Sequence, residues 1–173
     1  MRLISYIIIG VIILIFVSPF NFYDTGNEPV NYLFRSFYHA NITHLAANTI
    51  SLYNLSFIEE IIGQKQFFFA MLFIWIVSSI LLYVIHKFIP SRKVYTVGFS
   101  AVIFGLIVVY YSLLNRSPGV TFAGLVISIL PQIVIPGISF EGHLSGIIAG
   151  IIYVMLFGVK ATNNQINQIN QIN

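Results

Sequence analysis

Most of this chain is made of apolar runs about as long as a lipid bilayer is thick. Six can be marked, at about residues 3–20, 43–62, 67–88, 96–114, 120–138 and 143–159. A helix crossing a hydrocarbon core of about 30 Å needs roughly 20 mainly apolar residues. Little polar sequence remains for a water-soluble shell: 58% of the 173 residues are hydrophobic, only 8% are charged, and mean hydropathy is +0.91. The expectation is an all-α membrane protein, with one membrane domain over residues 1–160 and a polar tail over 161–173. The tail repeats Gln-Ile-Asn and has no packing face. Pro19, Pro90, Pro118 and Pro136 fall in or near connections, and Pro131, inside the fifth run, predicts a kink or early end there. Arg2 before an Ile-rich stretch resembles the start of a signal peptide, but no small-x-small cleavage site follows, so an uncleaved first helix is expected.

Charge excludes more than it assigns. Net charge is +3, and the basic residues are scattered singly apart from Arg92-Lys93, so no nucleic-acid patch is indicated. With no cysteine, disulfides, thiolate metal sites and a thiol nucleophile are excluded, and no metal or cofactor is expected. With a cytoplasmic N-terminus, Arg2, Lys65, Arg116 and Lys160 lie inside and Arg35, Lys87, Arg92 and Lys93 outside, a tie under the positive-inside rule. The first connection, residues 21–42, reads as a long loop whose aromatic stretch from Tyr32 to Tyr38 suits a membrane–water interface.

Alternate membrane helices run in the same direction, so the starts of the second, fourth and sixth runs should lie near one membrane face. Each start carries a polar cluster: His39-x4-His44-x3-Asn48, Gly98-Phe99-Ser100, and Gly142-His143-Leu144-Ser145-Gly146. Serine in such a helix often bonds back to a carbonyl one turn earlier, which is the expectation for Ser78, Ser79, Ser112 and Ser128. Ser100 differs in its neighbours. Ala101 and Gly105 have the small-x3-small spacing that lets another helix approach closely, and Phe104 is one turn below Ser100 on the same face. His143 shares a face with Gly146 and Gly150, a second close-approach surface. If the two small-residue grooves meet, Ser100 and His143 come within reach of each other. Ionisable groups inside a bilayer are expensive, about 2.5–3.5 kcal/mol for Arg, Lys or Asp on an insertion scale, and usually have a partner or a task.

No carboxylate is placed to complete a triad. Glu141 is two residues from His143, where helical side chains do not face each other, and reads as a helix-start residue. Asp24 and Glu28 are in the first loop, and Glu59 and Glu60 are at the far end of the second run. The arrangement therefore reads as a Ser–His dyad with Ser100 as nucleophile and His143 as base. His44 and Asn48, one turn apart, are hydrogen-bond donors suited to an oxyanion hole. Interhelical bonding is the alternative role, and the preferred one for Asn54. His39 is expected to brace the first loop, and His86, beside Lys87, to sit at the interface.

Together these residues resemble the rhomboid family of intramembrane serine proteases. Phe37-x-His39-x4-His44-Leu45-x2-Asn48, Gly98-Phe99-Ser100-x4-Gly105-Leu106 and His143-x2-Gly146-x3-Gly150 resemble its second-, fourth- and sixth-helix motifs, and Glu59-x3-Gly63 fits its habit of an acidic residue and glycine at the other end of the second helix. The resemblance implies a six-helix bundle with a water-filled cavity on the extracytoplasmic side and a cytoplasmic N-terminus, in a cell membrane. It implies Ser100 as nucleophile, His143 as general base, His44, Asn48 and the Ser100 amide as oxyanion donors, and Phe104 stacked on the histidine. Substrates would be transmembrane proteins, cut where a segment unwinds easily, with span 5 and the loop before His143 as a moving gate. Ala101 departs from the glycine that often follows the serine, and the first loop lacks a clear Trp-Arg signature, with Arg35 a loose candidate. Two other readings differ in class: a rhomboid-like pseudoenzyme that binds membrane proteins, and a small channel or carrier subunit whose polar clusters line a pathway.

Overall fold

Four helices open on a side chain that accepts an amide hydrogen from their first turn, and these caps set where the elements begin. A computed structural model describes residues 2–18, 25–89, 96–134 and 138–161. Its helices are α1 (Leu3–Val17), α2 (Glu28–Arg35), α3 (Ile42–Leu55), α4 (Phe57–Ile62), α5 (Gln64–Phe88), α6 (Ser100–Leu113), α7 (Pro118–Ile129), a 3-10 turn (Leu130–Ile133) and α8 (Phe140–Phe157). Asn27, Asn41, Ser117 and Ser139 are the capping acceptors for α2, α3, α7 and α8. No strand occurs among the described residues. Pro19, Pro90, Pro136, the Arg92-Lys93 pair and the repetitive tail from residue 162 lie outside them.

The core is built on α5, α6 and α8. Phe67, Ala70, Met71 and Ile74 of α5 are buried with Val102, Ile103, Leu106 and Val109 of α6 and Ala149 and Tyr153 of α8. A smaller cluster of Val108, Leu125, Ile129 and Ile147 seats α7 against α6 and α8. Many large apolar side chains remain on the outside, among them Leu14, Val17, Ile127, Met155 and Leu156, each more than 60% exposed. Such a surface is unsuited to water and suited to lipid. Helices α5, of 25 residues, and α8, of 18, are each long and apolar enough to cross a membrane alone, while α1, α6 and α7 with its 3-10 extension are shorter apolar helices.

Several elements differ from the sequence expectation. The second run is two helices, broken at Ser56, whose hydroxyl and amide both bond to the Tyr53 carbonyl. The first connection contains a helix, α2, started by the Asn27 cap with Pro29 in its first turn, where a missing amide hydrogen does no harm. It is fixed to α5 by Trp75 Nε1, which donates to the Leu33 carbonyl at 2.7 Å, and by a 2.9 Å bond between Tyr32 and His86 Nδ1. His86 is thus buried, at 3% exposure, and the tyrosine supplies its partner. Helix α7 ends at Ile129 and tightens into the 3-10 turn around Pro131, whose ring removes the amide that would continue the helix. Ser78 and Ser128 bond back to carbonyls of their own helix, but the buried Ser79 hydroxyl has no partner among the described residues. Asn54 is exposed rather than placed between helices.

Glu59 is 1% exposed and lies at the start of α1. Its carboxylate accepts from the Ile4 and Ser5 amides, both at 2.9 Å, and from the Ser5 hydroxyl at 2.8 Å. A negative charge there satisfies amides that have no intrahelical acceptor and opposes the positive end of the helix dipole. Beside it, Arg2 reaches Glu60 at 2.9 Å and Ser56 at 3.2 Å.

Candidate active site

Helix α6 begins at Ser100 itself, immediately after a turn that only glycine enters readily. Gly98 has φ +110°, and its amide donates to the Arg35 carbonyl at 3.0 Å, which ties the turn to the end of α2. Helix α8 begins three residues before His143. The Ser139 hydroxyl accepts from the Gly142 amide at 2.9 Å and also receives the Thr96 hydroxyl at 3.1 Å, joining the two approaches to the site.

The crossing of α6 and α8 is made by backbone rather than side chains. A Cβ on Gly146 would strike the Ala101 carbonyl, and one on Gly150 would lie 2.7 Å from the Gly105 carbonyl oxygen. Bringing the helices this close places Ser100 Oγ 2.9 Å from His143 Nε2. Phe104 packs on the imidazole, with ring centroids 4.4 Å apart and planes inclined by 31°. On the other side of the ring, Nδ1 is 2.6 Å from Gln132 Oε1. An amide oxygen only accepts, so in this arrangement Nδ1 carries the hydrogen, Nε2 accepts, and the Ser100 hydroxyl donates to it.

Thr43, His44, Asn48, Ser100, Phe104 and His143 line one cavity of about 500 Å3. Asn41 caps α3 by accepting from the His44 amide at 2.8 Å, which fixes the turn carrying His44. Asn48 Nδ2 donates to the His44 carbonyl at 2.9 Å, leaving its second hydrogen uncommitted to that bond. His39 stands behind His44, outside the cavity lining, with ring centroids 5.1 Å apart in an edge-to-face arrangement. It is buried in the loop before α3, and burial, with His44 adding to it, lowers its pKa from 6.5 to about 4.

The structure therefore gathers His44, Asn48, Ser100, Phe104 and His143 around one cavity, puts Gly98 against His44, and puts Gly105, Gly146 and Gly150 in the helix crossing. Glu141 lies in the first turn of α8. Gln132 was not anticipated. Its signal was available: Leu125, Ile129 and Gln132 are spaced four and three apart, so a polar residue continues the inward edge of α7.

The sequence profile of the Rhomboid domain matches residues 26–160. This chain belongs to the rhomboid family. It is 53% identical over 168 residues to a protein of Acanthamoeba polyphaga mimivirus that carries a provisional rhomboid name, covering 96% of this chain and 98% of that one. It is 34% identical over 140 residues to the mitochondrial rhomboid-like protein 14 of Arabidopsis thaliana, covering 71% of this chain and 42% of that protein. An uncharacterized protein of Mycobacterium tuberculosis is 28% identical over 137 residues, covering 72% of this chain and 57% of its own length. The match to this rhomboid thus runs nearly end to end in the viral relative and over about half the length of the others. The profile match includes all three polar clusters and the whole α6–α8 crossing.

Proposed function

We propose that this rhomboid is an intramembrane serine endopeptidase that cleaves transmembrane segments of other membrane proteins. In this reading α1, α3 with α4, α5, α6, α7 with its 3-10 turn, and α8 are six membrane spans, forming a membrane domain over residues 1–160 ahead of a polar tail. The N-terminus is cytoplasmic and the cavity faces the opposite side of a cell membrane. The observation that carries the reading is the 2.9 Å bond between Ser100 Oγ and His143 Nε2 at the wall of a cavity lined by further donors.

Ser100 Oγ attacks the scissile carbonyl carbon while its proton passes to His143 Nε2. Negative charge on the carbonyl oxygen is met by the Asn48 amide, by His44 and by the Ser100 backbone N–H, which belongs to the first turn of α6, where amides lack intrahelical acceptors. The imidazolium then gives its proton to the leaving amine. Water entering the cavity is deprotonated by the same nitrogen and hydrolyses the acyl-enzyme, which regenerates the hydroxyl. Helix unwinding in the substrate is required, because a carbonyl bonded within its own helix is not open to attack.

The test is labelling of the detergent-purified protein with a serine-reactive fluorophosphonate. Labelling of wild type that is lost in both Ser100→Ala and His143→Ala supports the enzyme. Absence of labelling in wild type, where a control protease reacts, removes it.

A further inference from the structure

We infer that Gln132 is a positioning residue for His143: from the 3-10 turn after α7, its side-chain oxygen holds the imidazole in the tautomer whose Nε2 accepts the Ser100 proton. The consequence for catalysis rests on the hydrolase reading, whereas the contact itself does not.

Three observations converge. Leu125 and Ile129, at 8% and 1% exposure, anchor the inward edge of α7, and Gln132 follows Ile129 by three residues, one 3-10 turn on, at the same edge. Its neighbours Pro131, Ile133 and Val134 are exposed. An amide turned inward on a mainly apolar element needs a hydrogen-bond partner, and it has one at 2.6 Å in His143 Nδ1. Phe104, against the face of the ring, restrains tilting, but a ring face cannot distinguish one nitrogen from the other. Only the acceptor at Nδ1 does that, because fixing a hydrogen on Nδ1 leaves the lone pair on Nε2.

The choice of an amide fits its surroundings. A carboxylate in this position would add a further ionisable group to an apolar bundle, with the desolvation penalty that entails. A neutral amide oxygen fixes the tautomer without that charge. The position left vacant by the missing carboxylate is thus filled from a helix that supplies none of the other cavity donors.

The test uses the full chain in detergent, with its four histidines labelled with 15N, and reads ring protonation from two-bond 1H–15N spectra. His143→Ala identifies the His143 signals. Wild-type His143 is expected to be protonated on Nδ1, and this arm needs no activity. Gln132→Leu is expected to move the hydrogen to Nε2 or give a mixture. It should also slow fluorophosphonate labelling about a hundredfold, the lower end of what a positioned general base contributes. Gln132→Glu, which keeps an acceptor oxygen at the same reach, should retain Nδ1 protonation and recover most of the labelling rate. Unchanged signals from His39, His44 and His86 report that Gln132→Leu is folded. Wild-type protonation on Nε2 overturns the inference, as does a folded Gln132→Leu that keeps either the wild-type tautomer or the wild-type labelling rate. A wild type with the Nδ1 hydrogen in place but no labelling of Ser100 removes the hydrolase reading and leaves the contact standing.

Discussion

The imidazole of His44 occupies the space into which a side chain at Gly98 would project, with Cε1 and Nε2 both 2.6 Å from an ideal Cβ there. Gly98 also has φ +110°, a conformation that side-chain-bearing residues rarely adopt. One glycine therefore serves two demands: it turns the chain into α6 at Ser100, and it gives room to a ring on α3.

Gly98→Ala should therefore damage the site more than its small size suggests. Strain of this kind is typically about 1–3 kcal/mol, and relief requires the turn or the His44 ring to move. Displacing one oxyanion donor typically lowers turnover by about 10²–10³. Fluorophosphonate labelling of Gly98→Ala should fall toward that range while the purified protein still unfolds cooperatively on heating. Labelling at the wild-type rate would show that His44 does not act from this position.

Gly146→Ala tests the helix crossing. The added methyl would strike the Ala101 carbonyl, a backbone group that cannot rotate aside. Overpacking a tight interface typically costs about 1–3 kcal/mol. A lower Tm and slower Ser100 labelling are expected together, because separating α6 from α8 lengthens the bond between Ser100 and His143. Gly124→Ala is the matched control: a Cβ there meets nothing within 4 Å, so Tm should hold or rise slightly.

The α6–α8 crossing also shows what the sequence could and could not convey. Small residues four apart on two parallel runs implied a close crossing, and with it the meeting of Ser100 and His143, because helical periodicity fixes which residues share a face. The same logic put Phe104 on the face of Ser100, and the family resemblance implied its stacking on the imidazole. The spacing of Leu125, Ile129 and Gln132 continues across Pro131, but the kink or early end expected at that proline hides which way Gln132 faces. The break at Ser56 and the helix at Glu28–Arg35 were missed for a related reason. Both depend on local caps and side-chain bonds that a reading by apolar run length passes over. The partner of His86 was likewise hidden, because Tyr32 is 54 residues away in sequence.

His39 makes stability sensitive to acid. The fold holds it neutral, with a pKa lowered from 6.5 to about 4 by burial and by the nearby His44. The unfolded chain therefore binds a proton at this site more readily than the folded one. The stability that follows is full above pH 6.5 and is lost as pH falls from there toward 4. Thermal unfolding measured from pH 7.5 to 4.5 should show Tm falling through this window. His39→Phe, which packs a ring but cannot bind a proton, should flatten part of that slope, and an unchanged slope would assign it to other groups.

Glu59 makes its three bonds at the end of the molecule opposite the cavity, so its removal should separate stability from chemistry. Glu59→Ala leaves the Ile4 and Ser5 amides and the Ser5 hydroxyl without their acceptor, and Ser5 is fully buried. A buried donor left unsatisfied typically costs about 1–3 kcal/mol, and in a chain of this size each kcal/mol moves Tm by roughly 2–4 °C. A fall of several degrees is expected for Glu59→Ala. Glu59→Gln should fall less, because it keeps one acceptor oxygen while giving up the charge that opposes the α1 dipole. Well below the unfolding transition both variants should label at Ser100 at the wild-type rate, since α1 and α4 supply none of the residues lining the cavity. Labelling lost at a temperature where the variant remains folded would mean that the start of α1 is coupled to the Ser100 end of the bundle.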